Sequence, residues 1–390
     1  MYGLLDLSLG GYVLATFILT QITIASVTLY LHRSQAHRGV DFHPVLAHFF
    51  RLWLWLTTGM GTKAWAAIHR KHHAHCETEN DPHSPQILGL KKVLREGAEL
   101  YRKEADNPET LEKYGHGCPD DWIERNLYQR WPIGGVAVML IIDWILFGVP
   151  GTTVWAIQMM WIPIWAAGVI NGVAHYFGYR NFECPDASRN LVPWGLFIGG
   201  EELHNNHHTF GTSAKFSHKW WEFDIGWAYI RILETLRLAK VKRVAPKPAY
   251  DSAKAHVDLD TVKAVLTNRF QLMANYSRQV VLPVLAEEKR KAGEAGAALF
   301  HKARTLLTRE TSLIKPPEHE RLQNLLAQNQ ALAVVREFQT RLEAIWKRTA
   351  ASQQELIQSL QQWCHEAEAT GIRVLADFSR YLRTYTPAMA

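Results

Sequence analysis

The sequence has little cysteine, and this scarcity excludes several kinds of site. Its 390 residues include four cysteines, which form no Cys-x-x-Cys pair and no regular spacing: Cys76, Cys118, Cys184 and Cys364. A disulfide framework or a cysteine-type zinc site would need recurring spacings, and the spacing of a plant-type iron–sulfur centre is absent as well. We therefore expect the soluble parts of the chain to face a reducing, cytosol-like compartment.

The first 244 residues lack a marked excess of positive or negative charge. They carry 23 Lys and Arg against 22 Asp and Glu, whereas residues 245–390 carry 20 against 15. The small positive excess of residues 245–390 is typical of a solvated helical surface, so we expect no nucleic-acid partner. Thirteen of the 15 tryptophans and all the long apolar runs also lie in residues 1–244. These contrasts predict a membrane domain over 1–244 and a helical cytoplasmic tail over 245–390.

Three apolar runs predict membrane spans. Residues 9–31 form an uncharged run of 23 residues, which is long enough to cross a bilayer core. They lack the basic start and the cleavage site of a signal peptide, so we expect an uncleaved span. Residues 132–149 and 152–172 flank Pro150–Gly151 and predict a hairpin of two further spans. Asp143 in this hairpin should face protein, because a charge facing lipid is costly.

Two shorter apolar segments, near 45–60 and 190–200, suit the membrane interface better than a crossing. The first of them also contains Arg51. One span before the first histidines and a hairpin further on place every histidine-rich segment on one face. That face is rich in Lys and Arg and the hairpin tip has neither, so it should be the cytoplasmic face of a bacterial-type inner membrane.

Eight of the 19 histidines fall into three closely spaced boxes. The first box, HRSQAHR, holds His32 and His37; the second, HRKHH, holds His69, His72 and His73; the third, HNNHH, holds His204, His207 and His208. On a helix, offsets of three and four return to one face, so the three rings of the second or third box should converge on one volume. The gap of five in the first box puts its two rings about 140° apart on an α-helix. They could reach two neighbouring metals or clasp one from a frayed helix end.

Eight imidazoles exceed one coordination sphere, so the boxes predict two metal ions. Imidazole suits zinc, copper, iron and nickel, and the pattern is not the Glu-x-x-His of bundle di-iron proteins. Carboxylates behind the rings must then orient them and offset the metal charge; the candidates are Glu77, Asp81, Glu201 and Glu202. Ten of the other eleven histidines are expected to have ordinary roles: His43, His48, His75, His83, His116, His218, His256, His301, His319 and His365.

In this order, the three boxes resemble those of membrane fatty acyl desaturases, the acyl-CoA (stearoyl-CoA) delta-9 branch above all. The resemblance covers roughly residues 10–235 and includes ETENDPHSP after the second box and EELHNNHHTF around the third. The segment NGVAHYFGYRNFE is similar to the family's N-x-x-x-H segment. It implies His175 as a ninth metal ligand and Asn171 as a residue that holds one metal through water.

The resemblance implies an all-α integral membrane protein with few transmembrane helices, a cytoplasmic helical cap that holds a histidine-rich di-metal site, and a helical C-terminal tail. It implies two iron ions (Fe2+), with O2 as co-substrate, and a reaction that places a cis double bond in a saturated fatty acyl chain. The expected substrate is acyl-CoA, desaturated at the delta-9 position, and a phospholipid acyl chain is the alternative. The tail has no haem or flavin motif, so a separate protein (a ferredoxin, cytochrome or flavin reductase) should supply the electrons. Five aromatic residues are candidates for lining a buried acyl tunnel: Trp65, Trp144, Trp161, Trp165 and Phe177.

The sequence departs from the animal enzymes in two places. Thirty-one residues before the first box are too few for the two crossings found there. Where those enzymes carry charged residues that contact CoA, directly before the second box, this chain has Ala67 and Ile68. A CoA head group would have to be held otherwise, for which Arg70, Lys71 and the Lys91–Lys92 pair are candidates.

The tail reads as helical from about Lys254, with breaks at Pro283, Pro316–Pro317 and Gly371. One apolar face is predicted to comprise Leu322, Leu325, Leu326, Leu332, Val335, Phe338, Leu342 and Ile345. Residues 318–385 also resemble the helical C-terminal segment of ISL3-type transposases. No acidic transposase core is recognisable upstream, which favours a docking or oligomerisation module.

Two other functions share part of this pattern. A membrane hydroxylase or alkane monooxygenase has similar histidine boxes, although DPHSP and HNNHHTF favour desaturation. A metal transporter or sensor would also gather histidines. Transport sites lie near the bilayer midplane, whereas these boxes stand at the ends of the predicted spans.

Overall fold

The computed structural model describes residues 3–293, 299–347 and 352–388. The chain forms two compact units, one of Met1–Arg180 with Asp186–Ala245, the other of Asn181–Pro185 with Pro246–Ala390. Both are mainly helical. The described residues also form three two-stranded sheets, so the expected all-α class is correct only for the bulk of the chain.

The helices of the first unit are α1 (Leu9–Ser26), α2 (Pro44–Thr57), α3 (Thr62–His75), α4 (Pro85–Leu88), α5 (Leu90–Ala105), α6 (Pro108–Tyr114), α7 (Pro132–Phe147), α8 (Pro150–Ile162), α9 (His204–Thr209) and α10 (Ile225–Thr235). Wider π-helical turns follow or join them at Val27–Ala36, Glu124–Tyr128 and Pro163–Ile170, and a 3₁₀ turn covers Val173–His175. The strands are β1 (Val40–Phe42), β2 (Trp194–Gly195), β3 (Phe223–Asp224) and β4 (Ala239–Val241). β1 pairs antiparallel with β4, and β2 pairs parallel with β3.

Two continuous helices of this unit, Leu9–Ala36 and Pro150–His175, are long and apolar enough to cross a membrane by length and composition. Pro132–Phe147 is apolar but shorter. Hydroxyl groups inside α1 are satisfied within the helix: Thr16, Thr20 and Ser26 donate to main-chain carbonyls four residues earlier, at 2.8–3.0 Å. Such back-bonding lets polar residues stand in an apolar helix without an unpaired donor.

The hairpin of α7 and α8 buries its one carboxylate, as predicted. Asp143 is fully buried and accepts a hydrogen bond of 2.8 Å from the side-chain amide of Gln158. The helices approach closely at Gly151, where a Cβ would lie 2.2 Å from the carbonyl oxygen of Asp143. This close contact and the buried pair fix one helix against the other.

The two segments predicted to lie at an interface differ in structure. Residues 44–57 form α2, in which the buried Arg51 is paired with Asp121 at 2.5 Å and with Glu124 at 2.8 Å. Residues 190–200 form no helix. They run as irregular chain around β2 and expose the large side chains of Trp194 and Phe197.

The second unit consists of α11 (Leu259–Thr267), α12 (Arg269–Tyr276), a π turn at Ser277–Val281, α13 (Leu282–Ala292), α14 (Ala303–Thr308), a 3₁₀ turn at Thr311–Leu313, α15 (Pro316–Ala327), α16 (Gln330–Lys347), α17 (Gln353–Ala369) and α18 (Arg373–Arg383). Two short strands, β5 (Ala249–Tyr250) and β6 (Tyr385–Thr386), pair antiparallel.

The predicted apolar face of this unit is buried except at Leu326, which is half-buried, and it is shared by α15 and α16. The core also contains Trp363, whose indole N–H donates to the carbonyl of Phe338 at 2.9 Å. Pro316 begins α15, and Gly371, with φ +74°, separates α17 from α18, as predicted.

The break expected at Pro283 is wrong. Helical structure is continuous from Arg269 to Ala292, and the π turn at Ser277–Val281 directly precedes this proline. In a regular α-helix the proline ring would meet the carbonyl four residues earlier. We attribute the continuity to the wider turn, which bonds one residue further along and relieves that clash.

Candidate metal centre

Nine histidines of the first unit gather into two adjacent clusters. They come from the π turn after α1, from α3, from the 3₁₀ turn at Val173–His175 and from α9. The first cluster comprises His32, His37, His69, His73 and His207. The second cluster comprises His72, His175, His204 and His208.

The first cluster is held together by close approaches between Nε2 atoms. These atoms are 2.8 Å apart in His37 and His69, 3.1 Å in His69 and His73, 3.0 Å in His73 and His207, and 2.9 Å in His207 and His32. Two ligands at right angles on a metal, with bonds of about 2.1 Å, lie about 3.0 Å apart. The five nitrogens are therefore spaced as neighbouring ligands of one metal ion would be.

The second cluster lies directly beside the first. The Nε2 atoms of His175 and His204 are 3.0 Å apart. The ring of His208 lies 4.4 Å from that of His204, 5.0 Å from that of His175 and 5.2 Å from that of His72. These rings surround a second small volume lined by nitrogen.

Each HxxHH box divides between the clusters, which corrects the expectation that its three rings converge on one volume. His69 and His73 belong to the first cluster, whereas His72 belongs to the second. In the third box the first and last histidines belong to the second cluster and His207 to the first. Neighbouring residues of a helix point about 100° apart, so two adjacent histidines address two sites while the offset of four shares one.

A π-helical turn, which the spacing did not reveal, decides where the two histidines of the first box point. Val27–Ala36 is π-helical, and the amide of His37 donates to the carbonyl of His32 at 3.1 Å. In this wider turn residues five apart lie almost above one another. His32 and His37 therefore reach the same cluster, with ring centroids 5.0 Å apart.

Four carboxylates contact the outer nitrogens of the rings. Nδ1 of His32 lies 2.8 Å from Glu201, Nδ1 of His72 lies 2.9 Å from Asp81, Nδ1 of His175 lies 2.8 Å from Glu77, and Nδ1 of His208 lies 3.3 Å from Asp186. Such a contact places the proton on Nδ1 and leaves Nε2 to bind a metal. The sequence had indicated three of these four carboxylates.

The fourth predicted carboxylate, Glu202, has a different contact. It accepts hydrogen bonds from the amides of Phe197, Ile198 and Gly200 at 2.7, 2.9 and 3.2 Å, and so stabilises the turn before α9. Asp186, which takes the remaining place behind a ring, was missed. It precedes His208 by 22 residues and belongs to no motif, so spacing gave no signal for it.

Burial keeps most of these imidazoles neutral. It lowers the pKa of His69, His73, His204 and His207 well below the usual value, and the neighbouring histidines lower it further. Burial likewise lowers the pKa of His208 to about 4, although Asp186 opposes the shift. Neutral imidazole is the form that binds a metal.

Hydrogen bonding leaves some buried nitrogens of these clusters unsatisfied. Where two facing Nε2 atoms both lack a proton, they have no hydrogen to share, and Nε2 of His208 has no hydrogen-bond partner among the described residues. Unpaired buried polar atoms are costly. Bound cations would satisfy them, so the residues present fit a pair of metal ions.

Aromatic and charged groups enclose the first cluster. The ring of Trp65 stacks on that of His69 with centroids 5.0 Å apart, and Phe216 lies 4.6 Å from the ring of His207. Arg33 lies 3.7 Å above Phe216 and is paired with the fully buried Asp224 at 2.9 Å. Trp65 thus borders the first cluster, and its role in lining an acyl tunnel stays a prediction.

The other proposed tunnel residues are less enclosed. Trp144 and Phe177 are 57% and 59% exposed, which does not fit the wall of a buried tunnel. The rings of Trp161 and Trp165 lie 5.8 Å apart on one side of the second helix of the hairpin.

The remaining site predictions have mixed outcomes. Asn171 stands four residues before His175, and its side chain forms no hydrogen bond with a histidine among the described residues. His75 contacts the hydroxyl of Tyr114 at 2.8 Å, outside both clusters. His83 lies closer to the site than expected: its ring is 4.3 Å from that of His72, and together with Asp81 it supports that residue.

The chain thus combines a mainly helical fold with two histidine clusters that could hold metal ions. Residues 8–233 match the family model described as fatty acid desaturase, which spans more than half of the chain. The chain belongs to the fatty acid desaturase family.

The chain is similar to several desaturases, delta-9 desaturases among them. It is 28% identical over 229 residues to an sn-1 stearoyl-lipid 9-desaturase of Anabaena variabilis, a match that covers 57% of this chain and 79% of that one. It is 30% identical to an sn-1 stearoyl-lipid 9-desaturase of Synechocystis, over 57% of this chain and 69% of that one. An acyl-CoA 5-desaturase of Anemone leveillei is 28% identical, over 55% and 66%. These similarities do not assign the chain to either the acyl-lipid or the acyl-CoA branch of the family.

The second unit matches a different family model. Residues 250–390 match the model described as ISL3 transposase, a longer stretch than the 318–385 indicated by the sequence. The chain therefore joins a segment that matches the desaturase family to one that matches a transposase family.

Proposed function

We propose that this chain introduces a cis double bond at the delta-9 position of a saturated fatty acyl chain, with O2 as co-substrate. The observation that carries the proposal is the pair of buried clusters. Nine imidazoles, with four carboxylates behind them, converge at distances suited to two metal ions. The family assignment of the chain supports the same reaction.

Two iron ions (Fe2+) are the proposed cofactor. The first cluster would hold one through five nitrogens, and the second cluster would hold the other through its four histidines, with Asn171 contributing through water. Bound there, the ions would supply the O2 activation that the removal of hydrogen from unactivated methylenes requires.

The residues of this chain prepare the site for that chemistry. The carboxylates of Glu201, Asp81, Glu77 and Asp186 hold the Nδ1 atoms, so the rings keep one orientation and one tautomer. Trp65 and Phe216 pack against His69 and His207 of the first cluster and would help to keep water from it. Dry walls of this kind protect a reactive centre from side reactions.

We further propose that residues 1–244 are an integral membrane domain and residues 245–390 a cytoplasmic tail that serves docking or oligomerisation. Apolar side chains are exposed on α1 and α7, with Leu9 82% and Ile133 76% exposed, as expected of surfaces that contact lipid. The excess of Lys and Arg near the histidines favours a cytoplasmic active site in a bacterial-type inner membrane.

The proposed substrate is an acyl chain esterified in a membrane lipid. The specific observation is at Ala67 and Ile68, which occupy the positions where animal acyl-CoA enzymes carry CoA-contacting charges. Both are buried, with 0% and 3% exposure, and offer no charge to a CoA phosphate. Acyl-CoA, which the resemblance of the boxes predicts, is the second candidate.

Electrons are proposed to come from a separate protein, a ferredoxin, a cytochrome or a flavin reductase.

The proposed function can be tested by expression in cells whose membrane lipids and acyl-CoA pool are both followed by mass spectrometry after a pulse of labelled saturated acid. A double bond that appears first in lipid, and is lost with His72→Ala, supports the proposal. A hydroxylated chain would contradict desaturation, and a label that appears first in acyl-CoA would select the second candidate.

A further inference from the structure

Cys76 lies at the second cluster, although its isolated position in the sequence gave no reason to single it out. It directly follows α3 and is half-buried. Its Sγ lies 3.8 Å from Nε2 of His72. One potential ligand atom from each of His72, Cys76, His175 and His208 lies within 4.8 Å of all the others.

An independent observation points to a ligand at the same place. The side chain of His208 is 1% exposed, its Nδ1 contacts Asp186, and its Nε2 has no hydrogen-bond partner in the part of the chain that the structure describes. His72 and His175 also engage their Nδ1 atoms with carboxylates. The Nε2 atoms of these three histidines remain to face the sulfur of Cys76. The four side chains therefore surround one position that is lined by nitrogen and sulfur.

The spacing of these atoms suits one metal ion. With metal–nitrogen bonds of about 2.1 Å and a metal–sulfur bond of about 2.3 Å, ligands at right angles lie about 3.1 Å apart and opposite ligands about 4.4 Å apart. The 3.8 Å between Sγ and His72 falls between these limits. First-row transition metals accept imidazole and thiolate together.

The two clusters also differ in their supply of imidazole. The first has five histidines whose ring nitrogens lie within 4.8 Å of one another, whereas the second has four. At the second, such a close set consists of nitrogens of His72, His175 and His208 and the sulfur of Cys76, with His204 beside it. A thiol would therefore complete the poorer of the two sites.

We propose that Cys76 is a ligand of the metal bound at the second cluster, which makes this position a mixed imidazole–thiolate site. On binding, the thiol releases its proton to solvent and the sulfur forms the bond as thiolate. The proposal rests on the proposed function only in that a divalent metal binds here. A thiolate on one metal and not the other would make the two ions inequivalent.

The experiment uses the full-length protein in detergent, stripped of metal with a chelator and then loaded with Co2+. Bound cobalt is counted, and the absorption spectrum is recorded for a sulfur-to-cobalt charge-transfer band. Cys76→Ser is compared with Cys118→Ser, a matched change of another half-buried cysteine outside both clusters. In parallel, the alkylation of each cysteine by N-ethylmaleimide is followed by peptide mass spectrometry with and without Co2+.

We expect a sulfur band in the parent protein and in Cys118→Ser, its loss in Cys76→Ser, and protection of Cys76 alone when cobalt is bound. Two bound cobalt ions without a sulfur band would overturn the proposal, as would a band that survives in Cys76→Ser. Activity keeps the two ideas apart. An enzyme that forms double bonds but lacks the band defeats the cysteine ligand, whereas a protein with the band but no alkene defeats the proposed reaction.

Discussion

Glu201 holds His32 from behind: its carboxylate lies 2.8 Å from Nδ1 of His32, whose Nε2 is 2.9 Å from Nε2 of His207. Glu201 precedes α9, and its carboxylate thus fixes a histidine of the π-helical turn after α1 against a histidine of the third box. The hydroxyl of Thr28 donates to the same carboxylate at 2.5 Å, so Glu201 is itself held in place.

Replacing Glu201 by Gln should weaken metal binding at the first cluster. Loss of such a carboxylate behind a ligand costs about 10- to 100-fold in metal affinity or activity. Titration of the metal-free protein with Fe2+ under anaerobic conditions measures the change. Glu99→Gln, at an exposed position, is the matched control. Equal affinity in Glu201→Gln and the parent would contradict the role assigned to Glu201.

Single histidine replacements should remove one metal at a time. His37→Ala should lower the iron content from two ions to one by emptying the first cluster, and His208→Ala should do so by emptying the second. Either change should abolish alkene formation, because both ions are proposed to act together. Metal analysis of the purified variants gives the stoichiometry.

His75→Ala is the control for these variants. His75 stands beside the second box but contacts Tyr114 instead of either cluster. It should retain two ions and its activity. A full metal complement in His37→Ala, or loss of one ion in His75→Ala, would show that the assignment of the ligands is incorrect.

The buried pair in the hairpin should contribute to stability through its hydrogen bond. Gln158→Leu leaves the carboxyl of Asp143 without its donor, and an unsatisfied buried polar group costs about 1–3 kcal/mol. The double change Asp143→Leu with Gln158→Leu removes both polar groups and should recover most of that loss. Unfolding in mixed micelles measures each variant; a double variant less stable than Gln158→Leu would argue against the pair.

Trp363 should anchor the second unit. It is 1% exposed and packs against Phe338, Phe378 and Tyr276. Trp363→Ala should destabilise this unit by about 3–5 kcal/mol, seen as faster amide hydrogen exchange over residues 352–388. The half-buried Trp346 offers the comparison. Exchange unchanged in Trp363→Ala but accelerated in Trp346→Ala would show that the anchor was misidentified.

The sequence revealed which histidines belong together but not how they divide. Offsets of three and four predicted one shared face, yet His72 and His73 are adjacent and therefore point to different metals. The pairing of His32 with His37 depends on a π-helical turn, and an offset of five carries no mark of that turn. Both the division of His72 and His73 and the pairing of His32 with His37 depend on helical geometry that only the structure shows.

Contacts made through folding were beyond the reach of spacing. Asp186 and Cys76 stand outside any repeated interval, and only the fold brings them to His208 and His72. Glu77 and Asp81, by contrast, follow the second box within a few residues and were predictable. The same holds for the tail, where the apolar face was evident but the continuity of the helix through Pro283 was not.

Removal of iron should abolish the activity reversibly. A chelator that strips both ions should stop alkene formation, and Fe2+ should restore it. Zn2+, which accepts imidazole but has no redox chemistry, should bind without restoring activity. Activity that persists in protein verified as free of iron would rule out the proposed cofactor.

The central claim is that the two histidine clusters support oxygen-dependent desaturation. The most direct measurement is the double-bond position in acyl chains, by mass spectrometry, after membranes holding the protein receive a labelled saturated substrate, O2 and a reducing system. The account predicts a cis-9 alkene that requires O2 and is absent from His72→Ala. A saturated or hydroxylated product in the presence of two bound iron ions would contradict it.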